Sequence, residues 1–251
     1  MRLTIPARRL LRLLLGMVAA LHVLSLVVNV VHRRVGAEPF PHFDWLYAFF
    51  DVDQEHNLPT WFSSTLLMVS ALVLWHIGTI AVRYDRHWKL LAAVFTFLAV
   101  DEAAQVHEAA NTLRDTFDLS GVLYLSWILV AAPLVVILAL AYLRFVGHLP
   151  SRVRTLVLLG GGLYVGGAIG MEVVGSVLWD SGPGYDSMAY ALSAAVEELL
   201  EMLGIVSFLY GIARYLQEHH SDSEESATST RTVPYPRRYA PTEAAQPSPA
   251  G

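Results

Sequence analysis

The stretch VLYLSWILVAAPLVVILALAYL, residues 122–143, contains no charged side chain. A bilayer core is crossed by about 20 residues of α-helix, because a helix satisfies every backbone polar group within its own segment. A strand of a membrane β-barrel would instead alternate apolar and polar residues. The stretch is therefore predicted to be a transmembrane helix.

The composition of the whole chain extends this interpretation. Of 251 residues, 55% are hydrophobic and only 16% are charged, whereas about 25% of the residues of a typical soluble domain are charged. The first apolar stretch is longer than the core of a secretory signal peptide, which is about 7–15 residues, and is interpreted as a retained helix. The sequence predicts an all-α, polytopic membrane helix bundle with six transmembrane helices, at about 10–31, 61–82, 90–112, 122–143, 153–178 and 189–212.

The basic residues divide unequally between the two sides of these spans. Of 17 Lys and Arg residues, 14 lie at the N-terminus, in the second-to-third and fourth-to-fifth connections, and after the last span. Because basic residues stay on the cytoplasmic side, both termini are predicted to be cytoplasmic in a multi-pass protein of the cell membrane. Residues 1–218 form the predicted membrane domain. Residues 219–251, rich in Ser, Glu, Thr and Pro, are predicted to be a disordered cytoplasmic tail.

Seven carboxylates lie within the predicted spans, and no Lys or Arg lies deep enough in any span to pair with them. One charge at a helix centre costs about 2.5–3.5 kcal/mol even on the mildest insertion scale. These side chains are therefore expected to converge on water, a cation or one another. With a nearby amide and imidazole, the predicted cation or proton site comprises Asp101, Glu102, Gln105, His107, Glu108, Glu172, Glu197, Glu198 and Glu201.

The positions of these residues favour one chamber that opens outward. In an α-helix, Asp101, Gln105 and Glu108 would share one face, and the order of the spans places the carboxylates in the central and outer parts of the bilayer. The segments VDEAAQ (100–105) and VEELLE (196–201) also resemble each other. They lie on spans that cross in opposite directions, as an inverted repeat of three plus three helices requires.

An acidic loop on the same outer side places Asp51, Asp53, Glu55 and Asn57 at every second position. Ligands at positions 1, 3, 5 and 7 are also found in a calcium-binding EF-hand loop, but the glycine at position 6 and the glutamate at position 12 are missing here. Two interpretations follow. The loop contributes oxygens to a hard cation, or it is a solvated connection in which Asn57 caps the next helix and Pro59 lies in its first turn.

The fifth predicted span contains the glycine-rich stretch GGGLYVGGAIGMEVVG, residues 160–175. Gly162, Gly166 and Gly170 follow one another at intervals of four and would form one row along the helix. Such a row lets the backbones of two helices approach closely. We expect it to serve helix packing.

Three functions are open on this sequence. The first is transport, with a cation or protons bound in the chamber. The second is a metal-dependent membrane enzyme acting on a lipid or small substrate at the outer leaflet, in which a metal on Glu102, His107, Glu108 and Glu198 activates water. The third is a membrane assembly subunit. All-oxygen ligands suit Ca²⁺, Mg²⁺ or Mn²⁺, and the imidazole of His107 would also admit Zn or Fe.

Expected partners follow from the same composition. The net charge of −5 and the absence of a single basic patch argue against nucleic acid. The lipid bilayer is the predicted surrounding of the helices. A bundle of six helices is small for a carrier, so a homodimer is compatible with the transport hypothesis.

Overall fold

The computed structural model describes residues 6–36, 40–111, 127–181 and 187–231, which form helices and their connections without any strand. A 3₁₀ segment, Val106–Asn111, follows α4, and a π-helical turn, Gly166–Met171, joins α6 to α7. The helices are α1 (Ala7–Val35), α2 (Phe43–Phe50), α3 (Leu58–Ile80), α4 (Asp85–Ala104), α5 (Ile128–His148), α6 (Ser151–Val165), α7 (Glu172–Ser181) and α8 (Met188–Arg231).

Four helical stretches are long and apolar enough to cross a membrane, which confirms the predicted class of helical membrane protein. They are Ala7–Val35, Leu58–Ile80, Ile128–His148 and Ser151–Leu178. They correspond to the first, second, fourth and fifth predicted spans. The third and sixth predicted spans correspond to α4 and α8, the helices that carry most of the carboxylates.

Aromatic packing makes α4 and α8 neighbours. The ring centroids of Phe95 and Phe208 are 4.4 Å apart, and those of Trp88 and Tyr215 are 5.1 Å apart. Trp88 is almost completely buried and belongs to the main hydrophobic core. The two helices with the most carboxylates therefore lie side by side, as a shared chamber requires.

The helices α3 and α4 pack closely against each other as a helical hairpin. The hydroxyl of Ser64 donates a hydrogen bond of 2.7 Å to the carbonyl oxygen of Ala99. At the opposite end of the hairpin, a Cβ atom added to Gly78 would lie 2.8 Å from Cγ of Lys89. The absence of a side chain at Gly78 therefore lets the start of α4 pack directly on α3.

Glycines also bring α6 close to α8, but they are not the predicted ones. A Cβ added to Gly160 would lie 2.8 Å from the carbonyl oxygen of Gly204 and 2.8 Å from the backbone nitrogen of Phe208. Two residues correspond to about 200° around a helix, so a row displaced by two residues faces almost the opposite way. The predicted row accordingly faces open space, with no atom within 4 Å of a Cβ added to Gly162, Gly166 or Gly170.

The C-terminal helix is longer than the sequence predicted. The chain divides into two compact units, Met1–Leu216 and Gln217–Gly251. Helix α8 continues to Arg231, past the predicted start of the tail at His219. No Gly or Pro occurs between 217 and 231 to interrupt the helical backbone. The rest of the predicted tail, residues 232–251, lies outside the described residues.

Candidate functional site

A cavity of about 930 Å³ lies inside the unit formed by residues 1–216. Its walls come from the loop after α2, the C-terminal end of α4, the start of α5, the α6–α7 region and α8. On the α5 side, Trp127, Ala131 and Val135 face it at one residue per turn. This wall is apolar, whereas α4 and α8 contribute mainly carboxylates.

Eight carboxylates line the cavity, and no Lys or Arg is found among its lining residues in the described part of the chain. We refer to it as the acidic cavity. Every residue of the predicted cation or proton site whose side chain the structure describes lines it, including Gln105 and His107; the side chain of Glu108 lies outside the described residues. The carboxylates are Asp53, Glu55, Asp101, Glu102, Glu172, Glu197, Glu198 and Glu201.

A glycine in the π-helical turn allows the α6–α7 wall to approach the carboxylates of α8. A Cβ added to Gly167 would lie 2.8 Å from the carbonyl oxygen of Glu197 and 2.8 Å from Cγ of Glu201. Glu172 is the first residue of α7 after this turn and lines the same cavity. Single π-helical turns within α-helices occur frequently at functional sites. Here the turn brings a carboxylate from a separate helix to those of α8.

The predicted third span breaks at the cavity. Helix α4 ends at Ala104, because Gln105 adopts the left-handed conformation with φ of 54°. Asp101 stabilises the break: its Oδ1 accepts a hydrogen bond of 2.7 Å from the backbone N–H of His107, and its Oδ2 lies 3.2 Å from Nδ1 of the same imidazole. The expected α-helical face of Asp101, Gln105 and Glu108 therefore does not form.

The acidic loop is anchored to α1 through Asp51, which is only 1% exposed. Its Oδ1 accepts hydrogen bonds from the side chains of Asn29 at 2.7 Å and Ser25 at 3.2 Å. Ser25 Oγ in turn accepts a bond of 3.0 Å from the backbone N–H of Val52. Sequence analysis missed this network, although Ser25 and Asn29 are polar residues four apart in an apolar span.

The four predicted loop ligands have two different roles. Asn57 caps α3, since its Oδ1 accepts a hydrogen bond of 3.2 Å from the backbone N–H of Thr60, and Pro59 lies in the first turn. The predicted cap is thereby confirmed, whereas the loop is not the solvated connection of that interpretation, because Asp51 is buried. Asp53 and Glu55 line the acidic cavity instead, together with His56. Asp51 and Asn57 thus hold the loop, and Asp53 and Glu55 add charge to the cavity.

Across the stretches that the structure describes, no three His, Asp or Glu side chains are grouped tightly enough to hold one metal ion. The carboxylates are distributed over several walls of the cavity rather than gathered at one point. A cation bound by all of them at once would need water or further movement of the walls.

Residues 14–215 match the family model described as a domain of unknown function, DUF8692. The chain belongs to this family. No curated protein matches the chain, and no solved structure does. The region shared with DUF8692 includes every residue that lines the acidic cavity.

In the acidic loop of this DUF8692 chain, the pKa of Asp53 lies well above its ordinary value. Burial raises the pKa of Asp53 to about 7, and the nearby carboxylates of Asp51, Glu172 and Glu55 add to the rise, whereas Arg33 opposes it. Burial also raises the pKa of the Tyr47 hydroxyl in α2, with Asp51 contributing. The acidic loop therefore gains negative charge at Asp53 as the pH rises through neutrality.

This shift predicts how the stability of the protein depends on pH. The pKa of Asp53 is higher in the folded protein than its ordinary 3.8, so folding favours the protonated form and Asp53 destabilises the fold as the pH rises from about 4 through 7. We expect Asp53→Asn to reduce the loss of Tm between about pH 5 and about pH 8. Asp44, which is exposed in α2, provides the control variant Asp44→Asn. Parallel curves for the wild type and Asp53→Asn would contradict the prediction.

Proposed function

We propose that the chain is a membrane protein with six transmembrane helices that binds a cation or protons in the acidic cavity during transport. The observation that carries the proposal is the cavity itself, with eight carboxylates and no Lys or Arg among its described lining residues. Uncompensated carboxylates at bilayer depth are costly. A bound cation, or protons shared among the carboxylates, would offset that cost.

The orientation of the cavity supports transport from the outer side. The loop that brings Asp53 and Glu55 into the cavity lies between α2 and α3, in a connection with few basic residues. The Lys and Arg residues are concentrated in the connections at the opposite end, which by the positive-inside rule would be cytoplasmic. In this arrangement α4 and α8 are the third and sixth spans, and their carboxylates face the cavity rather than lipid.

The proposal predicts that replacing two neighbouring carboxyl groups of the cavity weakens cation binding. Purified protein in proteoliposomes is expected to bind and take up ⁴⁵Ca²⁺ or Mn²⁺, or to move protons detected by a trapped pH dye. Glu198→Gln with Glu201→Gln should reduce binding and flux at least about tenfold, since truncating buried charged partners typically costs that much or more. Both side chains line the cavity.

Asp44→Asn is the matched control for this experiment, because Asp44 is exposed and does not line the cavity. It removes one acidic group near the outer end and should leave binding and flux within about twofold of the wild type. Wild-type protein that shows neither cation binding nor proton movement would overturn the proposal. Equal flux in the double variant and the wild type would do so as well.

The pair of Asp101 and His107 favours a second candidate function, a membrane enzyme. A carboxylate that is hydrogen-bonded to one imidazole nitrogen fixes the orientation of the ring and raises the basicity of the other nitrogen. This arrangement is found both in histidines that act as general bases and in histidines that bind metals. His107 lines the cavity beside Trp127, with ring centroids 5.5 Å apart. Stoichiometric Zn or Fe in the purified protein, lost in His107→Ala but kept in Asp44→Asn, would favour this function over transport.

A further inference from the structure

The connections at the end of the bundle away from the acidic loop are held together by aromatic side chains. Tyr84 begins this arrangement at the α3–α4 connection, where it precedes α4 in the left-handed conformation, with φ of 62°. Its ring lies 5.2 Å from the ring of His148 at the end of α5 and 5.7 Å from that of Phe145. The α3–α4 and α5–α6 connections therefore meet in one place.

Hydrogen bonding and further ring contacts fix the same junction. The hydroxyl of Tyr142 donates a bond of 2.8 Å to the carbonyl oxygen of His87. The ring of His87 stacks on Phe145 at 5.8 Å, and Phe145 packs edge-on against Trp88 at 4.7 Å. Phe145 and Trp88 are both about 1% exposed. The junction is thus part of the rigid core.

This junction places basic groups from two connections in one area. The guanidinium of Arg83 lies over the ring of Tyr84, 5.5 Å from its centroid. Beyond His148, Nη1 of Arg154 donates a bond of 3.4 Å to the carbonyl oxygen of Gly147. Arg83 therefore contacts Tyr84, and Arg154 bonds to the residue that precedes His148, so both arginines lie near the Tyr84–His148 contact. With their exposed neighbours they form the basic end patch: Arg83, Arg86, His148, Arg152 and Arg154.

Within the two connections themselves, basic residues outnumber acidic ones. Asp85 is the only carboxylate in residues 81–89 and 144–154, and it is paired with Lys89 at 3.5 Å. Positive charge at this end is expected from membrane orientation alone. Membrane orientation does not determine where these residues lie relative to one another. The aromatic junction does, because it holds the arginines of two separate connections in one area.

An exposed apolar surface runs along α5 toward the patch. Val136, Leu140 and Leu143 follow one another at intervals of four and three residues, and each is 56–63% exposed. Val82, immediately before Arg83, is also fully exposed. An amphiphile with an anionic head and an acyl chain matches this combination, since the head would contact the arginines and the chain would lie along α5.

We propose that the basic end patch binds the phosphodiester headgroup of an anionic phospholipid whose acyl chain lies along α5. Each Lys or Arg near an anionic membrane surface contributes to such binding, and guanidinium groups form paired hydrogen bonds with phosphate oxygens. The exposed apolar surface of α5 favours a lipid over free phosphate as the occupant. This binding would occur at the opposite end of the bundle from the acidic cavity and does not depend on transport.

The test is native mass spectrometry of the purified full chain in detergent, titrated with dioleoyl phosphatidylglycerol. The wild type is expected to retain this lipid in preference to dioleoyl phosphatidylcholine. Arg83→Gln with Arg154→Gln should weaken retention about tenfold or more. Arg83→Lys with Arg154→Lys should recover only part of it, because lysine keeps the charge but cannot form the paired hydrogen bonds.

Arg8→Gln with Arg9→Gln is the matched control, because it removes the same charge from two exposed residues at the start of α1. This control should retain the lipid as the wild type does. Equal loss in the control and in the Arg83 and Arg154 variant would overturn the proposal in favour of general surface charge. Inorganic phosphate or deacylated glycerophosphoglycerol competing as well as the intact lipid would overturn it too, since the acyl chain would then contribute nothing.

Discussion

Asp51→Ala is expected to lower the free energy of unfolding by about 2–4 kcal/mol. The Asp51 carboxylate is 1% exposed and accepts hydrogen bonds from Asn29 and Ser25 of α1. Alanine would leave those buried donors without this acceptor, and a buried unpaired group costs more than the bond itself contributes. The measurement is reversible unfolding in mixed micelles by SDS titration. The effect should be large because one side chain holds the acidic loop to the first helix.

Two further variants separate hydrogen bonding from charge. Asp51→Asn keeps an oxygen at the position of Oδ1 and should cost less than half as much as Asp51→Ala. Asp44→Ala removes an exposed carboxylate from the same part of the chain and should change stability by about 0.5 kcal/mol or less. If Asp51→Ala were as mild as Asp44→Ala, the network would contribute little to the fold.

The convergence of the carboxylates could be predicted from the free-energy cost of placing them in lipid alone. Asp101 and Glu102 on one span, and Glu197, Glu198 and Glu201 on another, are expensive in lipid wherever they point. Convergence is the arrangement that lowers this cost, and no knowledge of the helix packing is needed to infer it. In the structure these side chains line one cavity.

The break after Ala104 could not be predicted from local sequence. Gln105 has a good helix propensity, and a left-handed conformation is uncommon for a residue with a side chain. The break depends on a contact between two residues six positions apart. In this contact the Asp101 carboxylate accepts a hydrogen bond from the backbone N–H of His107. Helical periodicity therefore places Asp101 correctly and fails beyond it. The same break makes the two halves of the suggested inverted repeat differ, because α8 continues unbroken through Glu201.

In the acidic loop, too, the role of each residue could not be predicted from the sequence pattern. Its alternating Asp51, Asp53, Glu55 and Asn57 resemble a set of equivalent ligands, because spacing records sequence distance only. The difference between them arises from α1, which offers Asn29 and Ser25 to Asp51. Those partners lie more than 20 residues away, so the role of each loop residue depends on tertiary contacts that spacing does not contain.

Alanine at Gly160 and at Gly162 should change stability in opposite directions. At Gly160 the new Cβ would lie 2.8 Å from the backbone of Gly204 and 2.8 Å from that of Phe208. Backbone atoms cannot turn aside as a flexible side chain can, so α6 and α8 must separate, at a cost of about 1–3 kcal/mol. At Gly162 no atom lies within 4 Å, and the higher helix propensity of alanine should stabilise the protein by up to about 1 kcal/mol.

Unfolding in mixed micelles also measures this pair, and the sign of the difference decides the result. Both substitutions add the same methyl group to the same helix, so intrinsic propensity affects them alike and cancels in the comparison. Only the approach of α8 differs between the two sites. Gly204→Ala should behave as Gly160→Ala does, because its Cβ would lie 2.8 Å from the carbonyl oxygen of Gly160. Equal stability of the Gly160 and Gly162 variants would mean that α6 and α8 do not pack against each other at Gly160. The α6–α7 region would then not form the wall of the acidic cavity next to Glu197 and Glu201.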